Sequence, residues 1–380
     1  MTRRRLLQNA SGAGIAAVVG GSTGCARSPR GPGKLLGVVP FADESGVRSG
    51  TVIGSGLDGR LVLDLTTLDS KSLITSNDRF FIRSCQPDQL DSRVPWRVAL
   101  HGLDKTPHVL TLDDLRPMVE PQGTHLMECA GNPRGYQFGL LSAANWSGIP
   151  LATVLQRAKS RSKDNLVLIS GFDQHSQLSE QSMAGASWIF TRDQLESSGA
   201  FLATEMNGVP LTPDHGFPVR LVMPGWYGCT CIKWVNKIEL VDGAVPATSQ
   251  MREFAQRTHQ TGIPDLARDF RPATIDLAAM PVRIEKWRIG EQIEYRLVGI
   301  LWGGTRCTSA LMIRFKPKTD YVPVESYDHR TTATWTLWTH VWRPNVPGKY
   351  WIQLRVADSH VPTRRLDAAY YTRKVILSEV

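Results

Sequence analysis

The chain is poor in the features that mark several large classes of protein. Six cysteines stand among 380 residues. None belongs to a CxxC pair or a CxxCH run, which excludes a zinc ribbon and a covalently attached haem. No block of Lys and Arg with interleaved aromatics occurs, although the formal charge is +9. Arg3, Arg4 and Arg5 supply a third of that excess. A nucleic-acid surface is therefore not indicated, and attraction of a small anion accounts for the remainder. There is no internal repeat and no low-complexity tract, which excludes solenoids and propellers. The apolar run "AGIAAVVGG" is too short and too glycine-broken to span a bilayer. With 42% apolar and 21% charged residues the chain is globular, and 380 residues are enough for two cores.

The N-terminus reads as an address and not as part of the fold. "TRRRLLQ" (Thr2 to Gln8) precedes that apolar run, and small residues follow it. This is the layout of an export signal, and the paired arginines are similar to the twin-arginine type, which carries folded proteins. "STGC" at Ser22 to Cys25 is similar to a lipoprotein processing site, with Ser22 where an aliphatic residue is usual. The expectation is export to the periplasm or cell envelope, with Cys25 a candidate lipid anchor. Past the signal five cysteines remain: Cys85, Cys129, Cys229, Cys231 and Cys307. Five is odd, so at least one thiol stays unpaired even where disulfides form.

Residues 1–35 are read as signal and Pro/Gly/Arg linker. From 36 to about 245 strand and helix patterns mix. "LVLIS" (Leu166 to Ser170), "SWIF" (Ser187 to Phe190) and "PVRLVMP" (Pro218 to Pro224) read as buried strands. "PLATVLQRAK" reads as a helix with Pro150 at its first position and Leu151, Val154, Leu155 and Ala158 on one face. A weakly periodic connection follows over 246–280. Over 281–380 "EYRLVGILW", "SALMIRF", "TATWTLWTHVW", "KYWIQLRVAD" and "RKVILSEV" read as strands at the spacing of an immunoglobulin-like sandwich. The expected class is α+β: a mixed α/β domain followed by a β-sandwich.

The chemistry is concentrated in a few stretches. "HLMECAGNPRG" (His125 to Gly135) sets Cys129 among small residues, where a structural cysteine would instead sit in an apolar strand. Read alone, it is a buried thiol beside a turn, or a thiolate serving as nucleophile or soft-metal ligand. "EMNGVPLTPDHGFPVRLVMPGWYG" (Glu205 to Gly228) is followed by "IKW", and "SNDRFFIRS" (Ser76 to Ser84) and "NWSGIPL" (Asn145 to Leu151) complete the set. Arg220, flanked by Pro218, Val219, Leu221 and Val222, is a cation inside an apolar strand. An unpaired buried charge is costly, so an anion is expected to hold it there. "CTC" puts Cys229 and Cys231 at i and i+2, on one face if the segment is a strand.

Together these stretches resemble the sulfite oxidase family of molybdenum enzymes, over roughly residues 65–245 and more weakly over 281–380, which is similar to that family's dimerisation domain. The resemblance implies a molybdenum–molybdopterin cofactor with Cys129 as its protein ligand; thiolate is soft and suits a metal already bonded to sulfur. It assigns His215, Arg220 and Lys233 to the pterin and its phosphate, and Asp173 to the pterin amines. It assigns Arg83 and Arg134 to an oxyanion substrate, with Arg330 reaching over from the C-terminal domain. Phe254 stands where the family has an active-site tyrosine, Cys85 where it has a histidine, and "CTC" where it has no thiols. Those departures leave the cofactor in place and put sulfite itself in question. The activity implied is oxygen-atom transfer with a small oxyanion, electrons passing to an external electron-transfer protein, in a chain that is a candidate homodimer. Two rivals stand beside it. One is the same cofactor working on another sulfur or nitrogen oxide. The other, of a different class, is a cell-envelope protein that captures a soft metal at Cys229 and Cys231.

Overall fold

A computed structural model describes residues 33–42, 50–69, 73–91, 93–102, 108–157, 166–177, 179, 182–368 and 370–380. The export signal and Cys25 lie outside the described residues. The class is α+β, with short helices: Leu112–Leu115, Leu151–Arg157, Arg192–Ser198 and Ser249–Glu253 among the described residues.

Two five-stranded sheets build the part that carries the chemistry. In one, Arg220–Val222, Phe201–Met206, Leu141–Pro150 and Glu120–Glu128 run side by side, all antiparallel. In the other, the order is His108–Thr111, Arg97–His101, Val235–Val241, Leu166–Gly171 and Ser187–Phe190. Its centre is buried because Val98, Val167, Ile169 and Val235 are fully withdrawn from water, as β-branched residues on a doubly covered sheet are. The strand read over Pro218 to Pro224 shrinks to Arg220–Val222. A proline at each end has no N–H for a ladder bond, so pairing stops short of both. Pro150 closes the strand Leu141–Pro150 and the helix begins one residue later. Leu151, Val154 and Leu155 are buried as the periodicity requires.

The C-terminal region is a two-sheet sandwich. Ala278–Ile289, Gln292–Trp302, Thr336–Trp342 and Ser326–Tyr327 form one sheet; Val322–Pro323, Leu311–Lys316, Gly348–Val356 and Arg373–Leu377 form the other. Phe315 stacks on Trp342 across the gap at 4.3 Å between ring centres. The first sheet gains an edge from an unexpected source. Lys34–Val39, which the linker reading partly covered, pairs antiparallel with Ala278–Ile289. The chain thus joins the sandwich before it builds the sheets around the cleft. The region read as a weakly periodic connection also has structure, with the helix Ser249–Glu253 and 3-10 turns at Ala255–Thr258 and Ala267–Asp269.

Gly299 shows how tightly the sandwich is packed. It lies opposite Trp338 in register, and a Cβ there would come within 2.1 Å of the indole and 2.6 Å of the Met280 carbonyl. Trp338 has no room to yield, being fully buried with its indole N–H donated to the Ile300 carbonyl at 3.1 Å. Gly299→Ala is therefore expected to destabilise the protein by about 2–3 kcal/mol. Thermal or denaturant unfolding of the variant beside wild type checks this.

Candidate active site

Cys129 follows directly on the strand Glu120–Glu128, and the loop after it is fixed by its own side chains. Asn132 donates from Nδ2 to the Phe138 carbonyl at 2.9 Å and accepts the Leu140 N–H at 3.0 Å. The Cys129 N–H bonds the Leu140 carbonyl at 2.9 Å, and the Gly131 N–H points back at Sγ at 3.3 Å. Cys129 is 6% exposed and lines two cavities, so its sulfur is reached from the cleft and not from bulk solvent. Burial pushes the Cys129 thiol up, and the Arg83 guanidinium is the largest influence pulling it back. A bound cation would reverse that balance and favour thiolate.

One cleft gathers seven of the nine candidate residues: Cys129, Arg83, Asp173, His215, Arg220, Lys233 and Phe254 all line it. Its far wall is cationic. Arg220 is 4% exposed. It donates to the carbonyls of His215 at 3.0 Å and Cys231 at 3.3 Å, lies 5.6 Å from the Trp146 ring centre, and has no carboxylate partner among the described residues. Its buried Nε has no hydrogen-bond partner among the described residues. Lys233 donates from Nζ to the carbonyls of Ser84 and Asp214 and lies 4.2 Å from the Trp234 ring centre. Burial, with Arg220 beside it, lowers the Lys233 ammonium to about 7. Burial lowers Arg220 to about 10. Two neighbouring basic groups with no salt-bridged carboxylate among the described residues, one with an orphaned N–H, fit an anionic group such as a phosphate; Asp214 and Asp173 act on Lys233 only from a distance.

His215 is neutral. Burial drops its imidazole to about 4. Nε2 lies 3.1 Å from the Phe80 carbonyl and Nδ1 2.6 Å from Thr212 Oγ1, so Nε2–H donates to the carbonyl and Nδ1 accepts the hydroxyl. Asp173 is buried, accepting the Ala186 N–H at 3.1 Å on Oδ2 and sitting 2.9 Å from His175 Nε2 on Oδ1. Its carboxylate therefore holds its own loop as well as facing the cleft.

The other two candidates are not in the cleft. Arg330 is 84% exposed and held in solvent by Asp328 at 2.6 Å, two residues earlier on the same surface turn. That contact overturns the expectation that it reaches the site. Arg134 donates to the Thr372 carbonyl, tying the Cys129 loop to the sandwich, and is absent from the lining.

The third arginine of the site is Arg364, which the sequence reading missed. It makes a two-pronged pair with Glu128 at 2.9 and 2.6 Å and donates to the Tyr371 hydroxyl at 2.9 Å. Glu128, 2% exposed, also accepts the Trp302 indole N–H at 2.9 Å. Glu128, Arg364 and Tyr371, with Asn132, Tyr227, Arg257 and Tyr370, line a second cavity that also opens on Cys129 and Ala130. The signal available in the sequence was Glu128 itself, an acid next to Cys129 on an otherwise apolar strand end.

"CTC" is not a strand. Gly228–Thr230 is a 3-10 turn, with the Thr230 N–H and hydroxyl both bonded to the Tyr227 carbonyl. The same-face argument therefore fails, although Cys229 and Cys231 are both buried in the cleft wall. Both are free thiols. Among the described residues no group of three His, Cys, Asp or Glu is arranged to hold a metal ion.

Comparison with known proteins agrees with this geometry. The family model described as oxidoreductase molybdopterin binding domain matches residues 86–249. The chain is 30% identical over 237 residues to the NADPH nitrate reductase of Aspergillus niger, covering 56% of this chain and 27% of that protein. It is 32% identical over 200 residues to the mitochondrial sulfite oxidase of Rattus norvegicus, covering 49% of this chain and 36% of that protein. It thus spans less than half the length of the curated relatives it matches. The crystal structure of the sulfane dehydrogenase SoxCD from Paracoccus pantotrophus superposes on 86% of this chain and 89% of that chain, with a TM-score of 0.62 at 17% identity, which is a likeness of fold.

The cationic wall gives a pH signature. The ordinary lysine value is 10.5 and the folded value about 7. Between those two values the unfolded chain binds the proton that the fold does not, so this residue makes stability rise as pH rises. In the cofactor-free chain, wild type minus Lys233→Met is expected to gain on the order of 2 kcal/mol from pH 7 to pH 10 after solvent screening. Urea unfolding across that range reads the difference, and inorganic phosphate, by favouring the charged lysine, should flatten it.

Proposed function

We propose that the chain, whose residues 86–249 match the oxidoreductase molybdopterin binding domain, is a molybdopterin-dependent oxidoreductase of the sulfite oxidase type that carries out oxygen-atom transfer on a small oxyanion and exchanges electrons with a separate carrier protein. The observation that carries this reading is that Cys129 shares one cleft with Arg220 and Lys233, neither of which is salt-bridged to a carboxylate among the described residues. Molybdenum bound with its pterin supplies the two-electron chemistry that no side chain can perform. Cys129 is the residue that would hold the metal. Arg220 and Lys233 would hold the phosphate, with His215 fixing the turn between them and Asp173 available to the pterin amines.

The chain's own part in turnover is binding, orientation and charge. The substrate enters the cavity lined by Arg257, Arg364 and Tyr227, because that cavity meets Cys129 on a side free of the phosphate-binding cations. Arg83, in the cleft beside Cys129, stabilises negative charge gathering near the sulfur. Phe254 fills the wall of the cleft and donates no hydrogen bond. That loss favours an oxide other than sulfite as the natural substrate. The N-terminal arginine pair supports export by the twin-arginine route with Cys25 as a lipid anchor. The sandwich supports a homodimer.

Elemental analysis by mass spectrometry, with pterin released and assayed in parallel, tests the reading. About one molybdenum and one pterin per chain are expected in wild type. Cys129→Ser replaces a soft ligand by a hard one and is expected to keep pterin while turnover falls at least ~1000-fold. Wild type free of molybdenum from a host that makes the cofactor would sink the proposal. Arg257→Gln is expected to raise KM about tenfold with a smaller change in kcat, since it removes binding charge distant from the reacting atoms. Steady-state kinetics on the best oxide found in a screen measures this.

A further inference from the structure

The cavity beside Cys129 is notable for a negative charge in its wall. A pocket built only to attract an oxyanion would gain nothing from an acid. Glu128 nevertheless sits there, 2% exposed, with both oxygens bonded to Arg364 and one also to Trp302. Arg364 is itself nearly closed off, its side chain 10% exposed, and lies 5.5 Å from the ring centres of both Tyr227 and Trp302. The pair is a fixed, neutral unit. Arg257, 5.6 Å from the Tyr227 ring centre, has no acidic partner among the described residues. One acid against two arginines leaves the cavity a single net positive charge.

We propose that Glu128 sets the charge class of the substrate: by closing Arg364 into an ion pair it makes the cavity accept an oxide of one negative charge in preference to a dianion. This rests on the reading that the cavity is where substrate enters. A monoanion is balanced by Arg257. A dianion would bring one uncompensated charge into a half-buried site. Breaking the pair in favour of the ligand is no remedy, because it strands Glu128 instead. Glu128 is thus a specificity-determining residue one position from the metal-binding sulfur, although it need not touch the reacting atoms.

The test is calorimetric titration of the molybdenum-loaded protein with sulfate, a dianion, and with nitrate, a monoanion of similar donor chemistry. Wild type should bind nitrate at least as tightly as sulfate. Glu128→Gln keeps the shape, frees the Arg364 charge, and should tighten sulfate tenfold or more while nitrate changes less. Adding Arg364→Gln to that variant should return sulfate to its weak wild-type level. Sulfate no tighter in Glu128→Gln, or already preferred in wild type, would overturn the assignment. Should Glu128→Gln not fold, Arg257→Gln serves: the Glu128–Arg364 pair stays intact, the cavity loses its net charge and nitrate should weaken tenfold or more, and unchanged nitrate binding would refute the charge argument. Turnover separates the two readings. If the sulfate effect is present but neither anion competes with substrate, the role of Glu128 stands and the cavity's role as substrate entrance falls.

Discussion

Two basic side chains largely withdrawn from water, Arg220 and Lys233, neither salt-bridged to a carboxylate among the described residues, organise the cleft. A buried guanidinium or ammonium normally carries its carboxylate with it, because the desolvation of either ion alone is far larger than a hydrogen bond returns. Arg60 and Arg364, both deeply buried, follow that rule with Asp58 and Glu128. Arg220 and Lys233 do not; their partners are backbone carbonyls and aromatic faces. The contrast is the basis of the proposal that Arg220 and Lys233 hold an anionic group. It also explains local detail. Gly216 turns in the left-handed region, and a Cβ there would press on the side chains of Arg220 and Lys233 at 3.0 and 3.1 Å. The turn is built to bring those two side chains together.

The sandwich is part of the same site. The loop that presents Cys129 is held from the other side by four of its contacts. The Leu126 N–H bonds the Ala333 carbonyl, Arg134 reaches the Thr372 carbonyl, Tyr370 donates to the Asn132 carbonyl, and Arg364 pairs with Glu128. A sulfur that is to hold a metal in one geometry needs such support, since a loop fixed only by its own turns would move by more than a ligand bond tolerates. The edge strand Lys34–Val39 adds to this, because it anchors the incoming chain to the sandwich before the cleft is built.

Much of this was legible in the sequence, for reasons that can be stated. Strands with continuous apolar runs, such as Leu166–Gly171, declare themselves because both faces are covered. Arg220 declared itself because a charge among Val and Leu has a cost that demands a partner. Its neighbours Lys233 and His215 followed from the resemblance. Arg330 and Arg364 mark the boundary of the method. Both are arginines near polar turns of the C-terminal region, and nothing local distinguishes them; only the register of distant strands puts one against Glu128 and leaves the other in solvent beside Asp328. The edge strand at Lys34 failed for a related reason. Its exposed side chains give it no burial pattern, and its partner lies more than two hundred residues away.

The two extra thiols can be understood on the same electrostatic terms. Burial pushes Cys229 well up, with Cys129 and Cys231 reinforcing the shift, and pushes Cys231 up despite the pull of Arg220. With no cation bound, burial biases both toward the neutral thiol, as it does Cys129. Cys231 is further committed, its sulfur accepting the Met223 N–H at 3.4 Å. A carboxylate in place of Cys231 would compete for Arg220 and blunt the positive charge of the cleft wall. A methyl would leave a gap in the wall. Sulfur fills the wall and carries no charge, so the thiols of "CTC" preserve the field of the cations behind them without joining the chemistry in front.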